Sequence, residues 1–329
     1  MKTKRTRISA VLLTAIVFIM LLPLLTFSAS AYSGGSGTSY DPYLIATPED
    51  LISVSNNPGK YFLQICDISM QGYSYTPISS FSGTYDGAGY TISDLSYNGY
   101  ATRAGLIATN TGTVKNVKLE NCYIETTTMT DVAFCGGIAG RNYQSGQILN
   151  CSVSGSIKGS SFGANTEVYV GGLVGLNQGL IENCKNAASV TATAIGASLD
   201  AYAGGITGNN NTSSVIKNCY NEGEVKAVDT RNCLAGGIAA INHGTVTGVK
   251  NVAHIYAEST RAQDGYRSDA YAAGAVAYNK NLVSYAQNSG FMLRDMSFTI
   301  NLAPANIRKE GSVLDLPILL SMLAGGGII

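Results

Sequence analysis

Tryptophan is absent from these 329 residues, histidine occurs twice, and charged residues make up only 13% of the chain. Typical soluble domains carry roughly 25% charged residues. With two histidines, neither a histidine-rich metal centre nor an imidazole relay has material to draw on. The seven cysteines contain no C-x-x-C pair, so zinc-ribbon and thioredoxin-like chemistry has no motif. Their odd number also excludes a fully paired disulfide framework within one chain. A basic excess is missing too, with 21 Lys+Arg against 21 Asp+Glu, which argues against a nucleic-acid partner. What the chain has instead is 38 glycines and 45% hydrophobic residues. Low charge with that much apolar content argues against disorder. It suits stacked strands joined by tight turns.

The first 31 residues read as a processing signal. Lys2, Lys4, Arg5 and Arg7 form a basic leader, Ile8 to Phe27 is uncharged and mostly apolar, and Ser28-Ala29-Ser30-Ala31 offers small residues for cleavage after Ala31. Removing the leader takes away four bases and no acids, leaving a mildly acidic chain with no membrane span. All seven cysteines lie beyond it.

Six stretches then repeat one seven-residue phrase: AGLIATN from Ala104, GGIAGRN from Gly136, GGLVGLN from Gly171, GGITGNN from Gly204, GGIAAIN from Gly236 and AGAVAYN from Ala273. The second column is glycine in all six, at Gly105, Gly137, Gly172, Gly205, Gly237 and Gly274. The seventh is always asparagine, at Asn110, Asn142, Asn177, Asn210, Asn242 and Asn279. A period of 32 to 37 residues marks a solenoid, propeller or array. After each asparagine come a turn and short β-branched segments. Val114, Ile148, Ile181, Ile216 and Val246 form one apolar column, and Ile124, Ile157, Val190, Val225 and Ile255 another, with one extra residue in the first copy. Cys151, Cys184 and Cys219 share a column with Val117 and Val249, which predicts a small buried core position. No 3.6-residue period runs through the copies.

One such unit cannot bury its apolar columns alone. Stacked copies can, each strand pairing in parallel with its counterpart about 4.8 Å away. The expected fold is therefore all-β, a parallel β-helix of about six repeats. Glycine in the second column is expected to provide left-handed backbone or close approach of neighbouring coils. Asparagine in the seventh is expected to serve as a turn residue in the αL region and, stacked, as a hydrogen-bonding ladder. Both columns are structural in this reading.

The phrase resembles the GLUG motif, most literally in Gly172-Leu173-Val174-Gly175 followed by Asn177 and Gly179. The resemblance spans roughly residues 104–290 and implies a repeat module of bacterial secreted and surface proteins, some adhesin-like or peptidase-associated. It carries no catalytic residues. Residues 32–103 read as the N-terminal cap of the same stack. There Thr47-Pro48-Glu49-Asp50 opens a short helix, with threonine as cap and proline in the first turn, and Asn56-Asn57-Pro58-Gly59 ends it. Asp86-Gly87 marks a hairpin or coil turn. Gly34-Gly35-Ser36-Gly37-Thr38-Ser39 reads as a flexible leader rather than a calcium-binding nonapeptide.

From about Phe298 the character changes. Thr299 to Gly311, running into Leu314-Asp315-Leu316-Pro317-Ile318-Leu319, resembles the N-terminal domain of magnesium-chelatase-like, competence-type AAA ATPases. No phosphate loop ending in Gly-Lys-Ser/Thr is present, so ATPase activity is not carried over. Residues 291–329 are thus a short α/β-like tail fragment, and a misjoined chain is one explanation. The apolar run Leu314 to Leu323 is expected to form a helix over the open end of the stack.

The expected function is non-enzymatic: a secreted or cell-surface repeat protein, adhesive or structural, contacting glycan or protein ligands through Tyr, Thr, Ser and Asn, with no cofactor and no metal. The alternative is a polysaccharide-cleaving enzyme, for which Asp86, Glu120, Asp131 and Glu182 are the candidate acids. None recurs or pairs at a telling spacing. His243 and His254 are expected to be solvated, and the sequon Asn211-Thr212-Ser213 predicts a surface loop.

Overall fold

The computed structural model describes residues 32–163, 166–195, 200–229, 232–259, 269–279 and 283–287. One coil shows the plan. Glu167–Gly171 forms a strand, the chain turns a corner at Gly172-Leu173, and Val174–Asn177 follows. A second corner leads to three short strands, Leu180–Glu182, Lys185–Asn186 and Ser189–Ala194, before Asp200–Gly204 begins the next coil. Each segment pairs in parallel with its equivalent one coil on, as in Val174 with Thr207 and Asn177 with Asn210. Two six-stranded sheets and one 19-stranded sheet result.

The stack begins before the first repeat. One column runs through Tyr43–Ile45, Tyr61–Gln64, Thr84–Asp86, Thr113–Lys115, Gln147–Leu149, Leu180–Glu182, Val215–Lys217, Thr245–Asn251 and Val283–Gln287, every neighbour parallel. At about 4.8 Å per rung the column is on the order of 40 Å long. Asp86-Gly87 is accordingly a coil corner, not a hairpin. The single α-helix among the described residues, Pro48–Ser53, has a capping box formed by Thr47 and Asp50 and buries Leu51.

That helix and the residues before it close the N-terminal end. Tyr32 stacks on Tyr43 at 4.1 Å and donates to the Ser53 carbonyl at 2.7 Å. The Gly34–Ser39 segment differs from the expected flexible leader. Leu44 N–H donates to Gly34 O at 2.8 Å, and Ser36 and Thr38 N–H both donate to Asp41 O. At Gly35, φ is +79° and a Cβ would lie 1.8 Å from Pro42 O. The glycines let this loop fold back onto the first strand.

The interior is apolar and layered by column. Val114, Ile148, Ile181, Ile216 and Val246 are fully buried, and so are Ile124 and Ile157 above them in the neighbouring row. Ile255 is only partly buried. Each fully buried Val or Ile contributes about 1.5–3 kcal/mol. The extra residue of the first copy is absorbed by a bulge between Leu119 and Cys122, where Glu120 and Asn121 stand opposite Ser154.

Candidate functional surface

The structure places the ladder asparagines inside the stack. Asn110, Asn142, Asn177, Asn210 and Asn242 have no exposed surface. Their side-chain amides form one continuous row: Asn110 Nδ2 donates to Asn142 Oδ1 at 2.8 Å, Asn142 to Asn177 at 2.9 Å, and Asn177 to Asn210, Asn210 to Asn242 and Asn242 to Asn279 at 2.8 Å each. The remaining amide valences bind the following turn, as Gly179 N–H does to Asn177 Oδ1. Below Asn110 the row rests on the fully buried ring of Phe81.

The expected αL conformation falls elsewhere. The ladder asparagines end regular strands. The left-handed corner is held by Asn116, Asn150, Asn183 and Asn218, with φ of 52–55°, and by Gly248 at 62°. A second inner row, Asn186–Asn221–Asn251, joins Nδ2 to Oδ1 at 2.8 and 2.7 Å. It explains three glycines of the repeated column. A Cβ on Gly172, Gly205 or Gly237 would lie 2.2–2.5 Å from Cγ of Asn186, Asn221 or Asn251. None of Gly105, Gly137, Gly172, Gly205 and Gly237 has positive φ, so close approach, not backbone handedness, is what these positions require.

On the outside, alternation along Glu167–Gly171 puts Val168 and Val170 in the core and leaves Glu167 and Tyr169 on the opposite side. In-register pairing stacks Phe134, Tyr169, Tyr202 and Leu234 in one row and Glu167, Asp200 and Asn232 in another. The rings lie nearly parallel, Phe134 to Tyr169 at 5.5 Å and Tyr169 to Tyr202 at 4.5 Å. Each phenol is tied to the acid two residues before it, Tyr169 to Glu167 at 2.6 Å and Tyr202 to Asp200 at 3.0 Å. Asn232 Nδ2 also donates to Asp200, at 3.0 Å. Burial and then the Glu167 carboxylate push the Tyr169 phenol far up, so it stays a donor at any physiological pH. Tyr202, Ala240 and Ile241, with Tyr169 and Leu234 against them, form an apolar cluster separate from the core.

The four acids singled out in the sequence do not converge. Asp86 is held by Lys115 at 3.1 Å and Asn116 at 2.8 Å. Burial opposes its charge, but the Asn116 and Ala88 hydrogen bonds and the Lys115 ammonium outweigh burial and hold its carboxyl below the usual carboxylate range. Glu182 pairs with Lys217 at 2.9 Å. Glu120 is exposed on its strand, and Asp131 sits in the exposed turn after Thr128. His254 is exposed, whereas His243 is half-buried, edge-on to Tyr278 at 6.3 Å, and so less solvated than expected. Asn211-Thr212-Ser213 lies on an outer turn. Among the described residues no cluster of three His, Cys, Asp or Glu is placed to hold a metal ion.

An exposed apolar feature lies where the strands Lys118–Thr128, Ser152–Ser161 and Ser189–Ala194 end. Thr128, Ser161 and Ala194 are aligned across neighbouring rungs. The residues after them, Met129, Phe162 and Ile195, therefore stack as a ridge, 60%, 46% and 52% exposed. Phe162 and Ile195 N–H bond the carbonyls of Thr128 and Ser161, fixing the ridge to the ladder.

The GLUG motif family matches residues 136–158 and 166–191, two consecutive coils of this stack. This is a GLUG-motif β-solenoid protein. A second family, described as subunit ChlI of Mg-chelatase, matches residues 270–328. That match begins on the solenoid strands Asp269–Ala273 and Val276–Asn279; residues 288–329, including Leu314 to Leu323, lie outside the described residues. Among curated relatives, Halomucin of Haloquadratum walsbyi is 30% identical over 43% of the GLUG-motif chain. A chain of Evansella cellulosilytica assigned as a Gly-rich membrane protein is 34% identical over 38%. The aligned parts span 2% and 16% of those two proteins. A crystal structure from Bacteroides ovatus assigned to an immunoglobulin A1 protease superposes with a TM-score of 0.57 at 20% identity, covering 81% of the GLUG-motif chain and 84% of its own. That likeness is one of fold. Among the described residues no helix is long and apolar enough to cross a membrane.

Proposed function

We propose that this GLUG-motif protein is a non-enzymatic, extracellular or cell-surface module that holds protein or glycan ligands along its side. The observation that carries the reading is the exposed ridge of Met129, Phe162 and Ile195. An apolar row fixed on successive rungs of a rigid stack is a contact surface for a partner. Of the two relatives that align with part of this chain, the one assigned as a membrane protein fits display at a cell boundary. GLUG-motif proteins are generally secreted or surface-borne, and the basic leader with its apolar run supports the same address.

The test is a glycan array and a cell-surface binding assay with the full chain and a Met129→Ser, Phe162→Ser, Ile195→Ser triple variant. Binding that falls at least tenfold in the variant, with an unchanged circular dichroism spectrum, is the expected outcome. Equal binding by both chains refutes the ridge.

A second reading, polysaccharide cleavage, is favoured by Glu167 and Asp200. They stand on adjacent rungs in one row, a spacing near the ~5–5.5 Å of retaining carboxylate pairs. Each is already engaged by a tyrosine hydroxyl, and Asp200 is 6% exposed, which weighs toward a structural row. Polysaccharide hydrolysis by the wild type that Glu167→Gln and Asp200→Asn each abolish would establish the enzyme.

A further inference from the structure

The corner after each left-handed residue carries Val117, Cys151, Cys184, Cys219 and Val249 on successive rungs. The three thiols are contiguous, free and sealed, at 1%, 2% and 1% exposure. The residues that follow them pair in register, Ser152 with Lys185 and Lys185 with Tyr220. The cysteine backbones are therefore one rung apart, about 4.8 Å. That spacing lies within the ~4.4–6.8 Å between Cα atoms that a disulfide can bridge. Cys184 occupies the middle. Its Sγ accepts from the Cys151 N–H at 3.4 Å, and its own S–H donates to the Glu182 carbonyl at 3.2 Å.

We propose that Cys184 is a redox centre that closes a disulfide with either Cys151 or Cys219, never both, by exchange with a disulfide donor. In the first step one cysteine, as thiolate, attacks a sulfur of the donor, here oxidised glutathione, giving a mixed disulfide and one glutathione thiolate. The neighbouring cysteine then attacks the protein sulfur of that bond and expels the second glutathione. Two protein thiols are oxidised, the donor disulfide is reduced to two thiols, and two protons move with the electrons. Burial, and then the neighbouring Cys151 thiol, keeps the Cys184 thiol protonated in the closed stack. Exchange therefore proceeds while the corner is open, during folding or a rung's local opening. An in-register pair also holds its Cβ atoms farther apart than the ~3.8 Å mean of relaxed disulfides. The bridge is strained and readily reduced, and the third thiol is placed to displace it.

The test refolds the reduced, denatured full chain in glutathione redox buffers of rising oxidised fraction, with dithiothreitol as the control. Free thiols are then trapped by alkylation and bridges mapped in unreduced digests. Expected is a population lacking two free thiols, its bridges divided between Cys151–Cys184 and Cys184–Cys219. Cys184→Val should keep every remaining cysteine reduced, and Cys219→Val should give only Cys151–Cys184. Valine already occupies this corner at Val117 and Val249, so both variants preserve the packing. Seven free thiols at every ratio overturn the proposal. So does a bridge involving Cys66, Cys122, Cys135 or Cys233, or loss of two thiols in the Cys184→Val chain.

Discussion

Asn177 donates to Asn210, accepts from Asn142 and also accepts from Gly179 N–H, all without exposed surface. Replacing it with alanine strands two buried amides and a backbone donor. Each unsatisfied group costs about 1–3 kcal/mol, so Asn177→Ala should destabilise by about 3 kcal/mol or more in urea titrations. Gly172→Ala puts a Cβ 2.2 Å from Asn186 Cγ and 2.3 Å from Gly205 O. Overpacking of this kind costs about 1–3 kcal/mol. Gly105→Ala, whose nearest contact is 2.7 Å, should cost less in the same titration. Asp86 adds a pH dependence. Its carboxyl is depressed in the fold, so its contribution is present above the unfolded value near ~4 and is lost as pH falls through the lower folded value. Asp86→Asn should flatten the acid limb of a stability–pH curve below about pH 4 and leave neutral stability less affected than Asn177→Ala does.

At the scale of strands and turns, the columns were legible wherever one residue type recurred in every copy. Six glycines and six asparagines announce the phrase, and the Val/Ile and Cys/Val columns announce the core. Columns with mixed occupants were harder to read. The left-handed corner alternates Asn116, Asn150, Asn183 and Asn218 with Gly248, and that Asn-to-Gly interchange was its signal. Among the described residues the second amide row runs through Asn186, Asn221 and Asn251, and earlier rungs carry Val153 and Leu119 there. The outer row was written as Glu167-x-Tyr169-x-Gly171, Asp200-x-Tyr202-x-Gly204 and Asn232-x-Leu234-x-Gly236. Its acids fall just before the phrase, whereas Asp86, Glu120, Asp131 and Glu182 are isolated. Turns tolerate change where ladders do not. Asn110, Asn177 and Asn242 reach their turn glycine in two residues, but Asn210 takes four to reach Ser214, whose hydroxyl bonds Asn210 Oδ1 at 2.7 Å. Deleting Thr212 and Ser213 restores the shorter turn and should shift the thermal midpoint by only a few degrees.

For the whole molecule, near-identical rungs mean that stability is close to a sum over coils and their interfaces. Removing residues 172–204 excises one full period, joins Gly171 to Gly205 and brings Asn142 against Asn210. That chain should remain β-rich by circular dichroism and unfold cooperatively at a somewhat lower temperature. Removing residues 172–188 cuts half a coil, misaligns every column beyond it and should abolish the cooperative transition. Both inner rows also share a sense: each side-chain amide donates to the oxygen of the later rung. The axis is thus vectorial. A coil copied in tandem fits only head-to-tail, and such copying changes the molecule's reach in fixed steps while its cross-section and side-facing chemistry persist. A lineage can in this way lengthen or shorten the stack by whole coils without redesigning any one of them.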